Sequence, residues 1–414
     1  MTSTSPGASP ATSSGTTIAR PTTVDEAATV LRESRGTVVF RGSGTKSNWA
    51  GRVAQPELTV DTGELNRLRS HNPADMTASV EAGMPLATLQ GLLAESGQWL
   101  ALDPPTEAAG ATLGGLLATG DCGPRRLRYG ALRDLVIGVT LVLADGTVAR
   151  AGGQVIKNVA GYDLSKMLYG SLGTLGLIAE VVLRVHPRPE ASATTVAPSS
   201  VHAAARTTLE LLASALQPSA VDWVGDTGQG AGDGQLAVRF EGTRAGVEAQ
   251  TAALQLMLGS AGTGAGAGAV ARTLVGSDEN RLWQEFAAAR MASSGQTTAF
   301  AGTLPSRLPA VADALARAAD ATGVRARLAS HGALGLHVAR FTGAPADQAR
   351  AFDTWRRAVL AVGGTVLLRD RPAEVDEVVD ALGPAPATAG LLRALRSRLD
   401  PDGRCAPGRL GSWL

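Results

Sequence analysis

Apolar residues recur with two different spacings between Ile18 and Arg188. A helical spacing predicts amphipathic helices over Thr23–Ser34 and from Pro85 towards Glu95, where the proline occupies a position that tolerates its missing N–H. Short apolar runs between turn residues predict strands. The predicted strands are Thr37–Phe40, Leu58–Val60, Thr77–Glu81, Leu135–Leu143, Thr147–Ala151 and Leu177–Val185, with a hairpin turn at Ala144–Gly146.

The proline-rich segment His186–Pro189 stops the last of these strands and marks a domain boundary. Beyond it, helical and strand patterns alternate, which predicts an antiparallel sheet covered by helices on one face. The predicted helices are His202–Leu216, Arg244–Leu258, Ser277–Arg290, Ser306–Ala321, Pro345–Val362 and Leu391–Leu399. The predicted strands are Ala220–Val224, Gln235–Phe240, Arg325–Ala329, Leu334–Phe341 and Thr365–Leu368. The glycine-rich run Gly262–Gly268 predicts a flexible surface loop.

The chain of 414 residues is longer than one hydrophobic core usually supports. We therefore expect a flexible tail over 1–17, a first domain over 18–188, a second over 189–390 and a C-terminal segment over 391–414 that returns to the first. Lys+Arg 38 against Asp+Glu 37 leaves no basic surface typical of nucleic-acid binding. Two distant cysteines and the lack of a secretion signal favour a reduced, cytoplasmic location. No apolar run is long enough for direct membrane insertion, so we expect any membrane association to occur through a partner.

Two glycine-bearing segments carry the candidate chemistry. Arg41–Lys46 reads Arg-Gly-Ser-Gly-Thr-Lys directly after a predicted strand, and Asp103–Gly123 contains Thr112-Leu-Gly-Gly115 and Thr119-Gly-Asp-Cys-Gly123. Glycine lets the backbone turn with positive φ, and successive N–H groups in such a turn form a nest that suits phosphate oxygens. Two nests in one domain suit a diphosphate, so the sequence predicts a dinucleotide site.

The first segment differs from two familiar nucleotide-binding loops. Thr45 separates Gly44 from Lys46, whereas a Walker loop needs adjacent glycine and lysine. Ser47 stands where a Rossmann fingerprint requires its third glycine. Taken alone, this segment is equally compatible with a surface turn.

The order of these segments resembles the vanillyl-alcohol oxidase/PCMH-type family of FAD-binding flavoproteins, over about Ile18–Pro187 with an echo at Leu399–Arg409. The resemblance implies an α+β fold: a PCMH-type FAD-binding domain of two α/β subdomains, plus a ferredoxin-like α/β cap domain. It implies that the first loop and the Thr-x-Gly-Gly segment hold the FAD diphosphate, and that Gly173–Gly176 and Ile178 line the adenine and ribose end. The implied cofactor-binding residues are Arg41, Gly42, Ser43, Gly44, Thr45, Lys46, Pro104, Thr112, Gly114, Gly115, Thr119, Gly120, Gly173, Gly176 and Ile178.

Within that family, Gly153–Ile178 resembles the FAD-binding E-type subunits of glycolate oxidases, above all at Lys157-Asn-Val-Ala-Gly-Tyr-Asp163. The resemblance implies an FAD-dependent oxidoreductase subunit of a glycolate (2-hydroxy acid) oxidase or dehydrogenase complex, carrying electrons through FAD to an iron–sulfur partner. The implied partners are a catalytic D-type FAD subunit and an iron–sulfur F-type subunit. Two alternatives stay open: a self-sufficient FAD-dependent 2-hydroxy-acid dehydrogenase, and a structural subunit with a non-catalytic FAD.

Several single residues have plainer interpretations. Lys46 and Lys157 are candidate phosphate- or flavin-directed cations, although a solvated lysine is the commoner case. Asp163 and Lys166 have the spacing of a pair on a helix surface. Cys122 lies in a glycine-bearing loop, but a lone loop cysteine is more often inert and the first loop has no His or Cys to tether a flavin. We therefore expect non-covalent FAD.

The second half lacks the motifs that resemblance leads us to expect in a catalytic D-type subunit. Ser330–His337 keeps two histidines but has lost the Asp and Asn of a His-x-Gly-Asp-Gly-Asn-x-His motif, and Gly363–Leu368 stands in place of a Gly-Glu-His-Gly signature. On one alternating strand His331 and His337 would face the same side, yet a third metal ligand is missing nearby. We predict two structural histidines, no metal site, and substrate chemistry on another polypeptide.

Overall fold

The computed structural model describes residues 15–153, 165–227, 233–260 and 271–414. The Lys157–Asp163 motif and the predicted loop Gly262–Gly268 lie outside these ranges. Within them, the chain forms mixed helices and sheets, as the sequence predicts.

The first part of the chain contains a small parallel sheet and a larger antiparallel sheet. Its strands are β1 (Thr17–Ala19), β2 (Val38–Arg41), β3 (Leu58–Asp61), β4 (Leu68–Asn72), β5 (Thr77–Glu81), β6 (Gln98–Trp99), β7 (Val136–Val142), β8 (Val148–Gly152), β9 (Leu177–Arg184) and β10 (His186–Pro187). Its helices are α1 (Val24–Glu33), α2 (Leu86–Ala94), α3 (Leu113–Thr119), α4 (Arg126–Tyr129), α5 (Leu132–Leu135) and α6 (Ser165–Leu168). The parallel sheet has the order β1-β3-β2, the antiparallel sheet has the order β4-β5-β9-β7-β8, and β6 pairs with β10.

Local sequence explains several of these boundaries. The Thr23 hydroxyl accepts a hydrogen bond from the Glu26 amide and so caps α1. Gly146 turns the β7–β8 hairpin with φ +83, and a Cβ there would lie 2.4 Å from the Ala28 carbonyl oxygen of α1. Glycine is therefore required at this turn by both its conformation and its packing.

The second part consists of two ferredoxin-like units. The first unit is β11 (Ala191–Ser200), α7 (Val201–Leu212), β12 (Ala220–Thr227), β13 (Asp233–Gly242), α8 (Arg244–Ser260) and β14 (Arg272–Leu274). After α9 (Gly276–Ala288), the second unit is β15 (Thr297–Gly302), α10 (Leu308–Thr322), β16 (Arg325–His331), β17 (Leu336–Thr342), α11 (Pro345–Ala361) and β18 (Thr365–Leu368). Each has the order βαββαβ that defines a ferredoxin-like unit. They join through β12 and β16 into one antiparallel sheet of eight strands, ordered β14-β11-β13-β12-β16-β17-β15-β18.

Both faces of this sheet carry helices, whereas the sequence predicts one covered face. Helices α7, α8, α10 and α11 cover the face that presents Val221 and Trp223 of β12. Helix α9 instead packs its Leu282 and Phe286 against Val224 on the opposite face. The prediction of a one-sided layer is wrong because successive residues of a strand point to opposite faces, and β12 is apolar at positions of both kinds.

The last residues contact the first part of the chain. After α12 (Ala373–Asp376) and α13 (Ala389–Leu399), the Arg404 carbonyl oxygen accepts a hydrogen bond from the Val38 amide, and the Ala406 amide donates to the Val38 carbonyl oxygen. The Arg404 guanidinium donates to the carbonyl oxygens of Gly36 and Ala144. The C-terminal segment thus extends the edge of the small parallel sheet beside β2, while the expected domain boundaries stay predictions.

Candidate functional site

A cleft opens where β2 ends, between the small parallel sheet, the start of α3 and the turn before β9. The empty space within it is about 870 Å³, including space open to solvent. The residues that line it are Val39, Phe40, Arg41, Gly42, Ser43, Gly44, Thr45, Lys46, Ser47, Thr62, Ala82, Thr112, Gly114, Gly115, Ala118, Thr119, Leu172, Gly173, Gly176, Leu177, Ile178 and Arg409. The tertiary fold therefore brings three separate glycine-bearing segments and the C-terminus to one place.

The loop after β2 presents free backbone donors. Gly44 has φ +76, so the chain reverses in the left-handed region. The Ser47 amide donates to the Gly44 carbonyl oxygen, but within the described ranges the amides of Ser43, Gly44, Thr45 and Lys46 have no backbone or side-chain acceptor. Such a run of free amides is the nest that suits phosphate oxygens.

The start of α3 offers a surface but not a second nest. The Gly114 amide donates to the Ala82 carbonyl oxygen at 2.7 Å, and the Gly115 amide donates to the Thr112 hydroxyl at 3.3 Å. These amides are already paired, so the prediction of two nests is wrong in this respect. Gly115 instead leaves space in the cleft because it has no side chain. A Cβ there would lie 3.8 Å from Cε of Lys46 and 3.1 Å from the Thr112 hydroxyl.

The turn before β9 closes the third side of the cleft. Leu172 and Gly173 are successive residues with positive φ, at +54 and +77. Gly176 has φ +136, and a Cβ there would lie 2.8 Å from the Val142 carbonyl oxygen. The backbone approaches β7 closely at this point, which requires glycine.

Lys46 lies at the inner end of the cleft and is buried, so the alternative of a solvated lysine is wrong. Its ammonium donates to the hydroxyls of Thr45 at 2.9 Å and Thr106 at 3.3 Å. Burial lowers the pKa of Lys46 to about 8, against the opposing charge of Asp121. Within the described ranges, Lys46 has no carboxylate at ion-pair distance, so its positive charge is available to a ligand.

Beyond Lys46, side chains from both parts of the chain fill the space. The Thr106 hydroxyl donates to Asp121 at 2.6 Å, and the other Asp121 oxygen lies 3.8 Å from an Arg369 nitrogen. The Arg369 guanidinium stacks between the rings of Trp49 and Phe300, at 3.8 Å and 4.5 Å from their centroids. This buried cluster links the end of β18 to Lys46, which lines the cleft.

Comparison with known proteins identifies the part of the chain that forms most of the cleft. Residues 16–152 match the family described as the FAD binding domain. The match covers this part of the chain and not the remainder. The predicted resemblance to FAD-binding flavoproteins is thereby confirmed, and FAD is the cofactor of this domain.

Two curated relatives are similar to part of this chain. Over 155 residues the chain is 39% identical to glycolate oxidase subunit GlcE of Escherichia coli, a match that covers 37% of this chain and 44% of that protein. Over 200 residues it is 34% identical to glycolate oxidase subunit GlcD of Bacillus subtilis, covering 47% of this chain and 42% of that protein. The chain therefore matches less than half the length of each of these relatives.

A solved structure shares the whole architecture. Alkyldihydroxyacetonephosphate synthase superposes with a TM-score of 0.70 and 17% identity, covering 94% of this chain and 76% of that one. At this identity the likeness concerns the fold alone. It confirms the α+β fold in which an FAD-binding domain is followed by a second, sheet-based domain.

The FAD-binding domain places most of the predicted site residues along one cleft. Pro104 and Gly120 are the exceptions: Pro104 is buried, and Gly120 ends α3 with φ +69 beneath the Tyr169 ring. Sequence reasoning missed Arg409, which lies far along the chain, although it belongs to the C-terminal echo of the family pattern.

The free amides and the buried Lys46 fit the diphosphate of FAD, because both supply positive charge without a protein counter-ion. Arg41 also lines the cleft, but it donates to Asp61 at 3.1 Å and its charge is balanced. Cys122 is a free, buried thiol whose pKa is raised by burial.

The two histidines of the second domain do not lie on one face. A short 3₁₀ turn separates β16 from β17, and His337 pairs across the strands with Ser330, so His331 points to the opposite face of the sheet. The predicted common face is therefore wrong, because the histidines belong to two strands rather than one.

Each histidine has protein partners. His331 contacts Asp222 at 2.8 Å, and Asp222 also accepts a hydrogen bond from Arg290, all three being buried. His337 contacts the hydroxyls of Ser330 and Thr303, each at 2.9 Å, and burial lowers the pKa of His337 to about 3. Sequence reasoning missed the Asp222 partner because it lies on a neighbouring strand.

The described ranges contain no group of three or more His, Cys, Asp or Glu side chains arranged to hold a metal ion. In the same ranges, no helix has the length and apolar character needed to cross a membrane.

Proposed function

We propose that this chain is the FAD-binding subunit of a complex that oxidises glycolate or a related 2-hydroxy acid. The observation that carries the proposal is the similarity to glycolate oxidase subunit GlcE, found in a chain whose residues 16–152 match the FAD binding domain. Bound FAD supplies the redox chemistry. In the complex, an iron–sulfur F-type subunit accepts the electrons and a D-type flavoprotein oxidises the substrate.

The chain's own residues hold the cofactor without a covalent bond. The amides of Ser43–Lys46 would hold the diphosphate, and Lys46 would add a positive charge beside them. Gly115 leaves the cleft open there, and Gly173–Ile178, which also lines the cleft, would hold the adenine and ribose end that the family resemblance assigns to it.

The structure of the second domain favours this proposal over a self-sufficient dehydrogenase. Hydroxy-acid oxidation needs a group placed to take the hydroxyl proton. His331 is buried with Asp222, and His337 is buried and neutral between two hydroxyls. Neither histidine is therefore placed to serve a substrate at the cofactor site.

The decisive measurement is dye-linked oxidation of glycolate and lactate, first by the FAD-loaded chain alone and then with a D-type flavoprotein and an iron–sulfur subunit. We expect negligible turnover by the single chain and activity in the three-chain mixture. Robust turnover by the single chain that His331→Ala or His337→Ala abolishes would establish the self-sufficient dehydrogenase.

A separate measurement tests the third possibility, a structural subunit with non-catalytic FAD. In the three-chain mixture, the flavin of this chain should be reduced within turnover. Isotopically labelled FAD, loaded into this chain alone, distinguishes its signal from that of the D-type flavin. A flavin that stays oxidised while substrate is consumed would show that this cofactor only supports assembly.

A further inference from the structure

Arg409 is the one lining residue contributed by the C-terminal segment, and its charge lacks a counter-ion in the described ranges. The half-buried guanidinium has no carboxylate at ion-pair distance there. Burial lowers the pKa of Arg409, and no acidic neighbour opposes that effect. A buried guanidinium without an anion is costly, whereas an anionic ligand in the cleft removes the cost.

The position of Arg409 is set by the segment that follows the loop Ser43–Lys46. One terminal nitrogen of its guanidinium donates to the carbonyl oxygens of Ser47, Trp49 and Gly51, at 2.7, 2.9 and 3.2 Å. The Gly51 amide in turn donates to the Arg409 carbonyl oxygen at 2.9 Å. A Cβ on Gly51 would lie 2.2 Å from the Gly408 carbonyl oxygen, so the two segments approach as closely as glycine allows.

We infer that Arg409 is a diphosphate-binding residue and makes the cleft selective for a dinucleotide. One nitrogen holds the segment Ser47–Gly51 through three carbonyl oxygens. The remaining N–H groups of the guanidinium donate to the diphosphate. Arg41 does not have this role because Asp61 balances its charge. The assignment rests on the proposed FAD site and adds the C-terminal segment to it.

The test compares FAD with riboflavin, which has the isoalloxazine and ribityl groups but no phosphate. Apo-protein is titrated with each ligand by calorimetry, as wild type, Arg409→Gln, Arg409→Lys and the control Arg398→Gln, an exposed arginine of α13. We expect Arg409→Gln to weaken FAD binding about tenfold to hundredfold, the range for a lost charge-assisted hydrogen bond. Riboflavin affinity should be unchanged, Arg409→Lys should be intermediate, and Arg398→Gln should match wild type.

Ionic strength provides a second measurement. The affinity of the wild type for FAD should fall with added salt more steeply than that of Arg409→Gln, because one charge–charge interaction has been removed. Wild-type FAD affinity in Arg409→Gln would overturn the role of Arg409 and leave the FAD site intact. An equal loss for FAD and riboflavin would also overturn it, since Arg409 would then act only on the loop. Absence of FAD binding by the wild type would overturn the proposed site itself.

Discussion

The buried charge of Lys46 lowers the stability of the apo-protein and strengthens cofactor binding. Its pKa falls from 10.5 to about 8 because the ammonium is buried. Each pKa unit corresponds to about 1.4 kcal/mol, so keeping Lys46 charged at pH 7 costs the empty protein about 3 kcal/mol. Replacing Lys46 with methionine removes that cost, but loses the hydrogen bonds to Thr45 and Thr106, each worth about 1.5 kcal/mol because the donor is charged. The two effects nearly cancel, so we expect the apo forms of Lys46→Met and wild type to differ in stability by less than about 1 kcal/mol at pH 7.

The pH dependence has a defined sign. Between pH 8 and 10.5 the unfolded chain still binds a proton at Lys46 that the folded chain has released, so wild-type stability from this residue rises with pH across that window. Below pH 8 the contribution is constant. Lys46→Met should lack the rise, so the stability of the wild type relative to this variant should increase by about 3 kcal/mol as the pH approaches 10.5.

Urea unfolding of the apo-proteins at pH 7 and at pH 9.5 measures both effects. The matched control is Lys166→Met, which changes an exposed lysine whose ammonium donates to the Arg133 carbonyl oxygen, and which should alter stability by less than about 1 kcal/mol at both pH values. In parallel, FAD affinity of Lys46→Met should fall by about tenfold or more, because the cleft loses a positive charge. A wild type whose stability relative to Lys46→Met does not rise above pH 8 would refute the reasoning.

Three other predictions concern the cleft and the second domain. Gly115→Leu should give soluble protein with little bound FAD, because the leucine side chain enters the cleft beside Lys46. The control Gly91→Leu, on the open surface of α2, should retain wild-type flavin content. Equal flavin content in both variants would show that Gly115 does not face the bound FAD. Acid precipitation should release all yellow colour into the supernatant as FAD, and flavin left on the pellet would show a covalent bond. Asp222→Ala should destabilise the protein by about 3–5 kcal/mol because Arg290 is left buried without its partner, and a loss below about 1 kcal/mol on chemical unfolding would contradict this.

The sequence by itself determined most elements with strong local signals. Helix α1 has a threonine cap, an apolar face and acidic residues in its first turn, and the structure places it over Val24–Glu33 within the predicted range. The β7–β8 hairpin follows from a long apolar run and an Asp-Gly turn. The glycine-bearing loop after β2 is likewise readable, because glycine between a strand and a polar run indicates a special backbone conformation. These features can be predicted because they depend on interactions between residues that are close in the sequence.

Only the tertiary structure decided the features that depend on distant partners. Strand β11, over Ala191–Ser200, is polar and was not predicted; it forms because β13 and β14 pair with it on both sides. The sequence suggests that the amides of Gly114 and Gly115 are free to bind a ligand. In the fold, the Gly114 amide donates to the Ala82 carbonyl oxygen and the Gly115 amide donates to the Thr112 hydroxyl. Hydrogen-bond partners of this kind are set by chain packing, which the spacing of glycines does not encode.

The charges in the cleft show most clearly what the sequence determines and what only the tertiary structure decides. Lys46 is an ordinary loop lysine in the sequence, and only the packing around it, which includes Thr106, makes it a buried cation whose pKa is lowered despite the nearby charge of Asp121. Arg409 enters the cleft because the C-terminal segment pairs with Val38 and Gly51, hundreds of residues earlier in the chain. Residue types come from the sequence, whereas burial and charge balance arise from contacts between segments that only folding brings together.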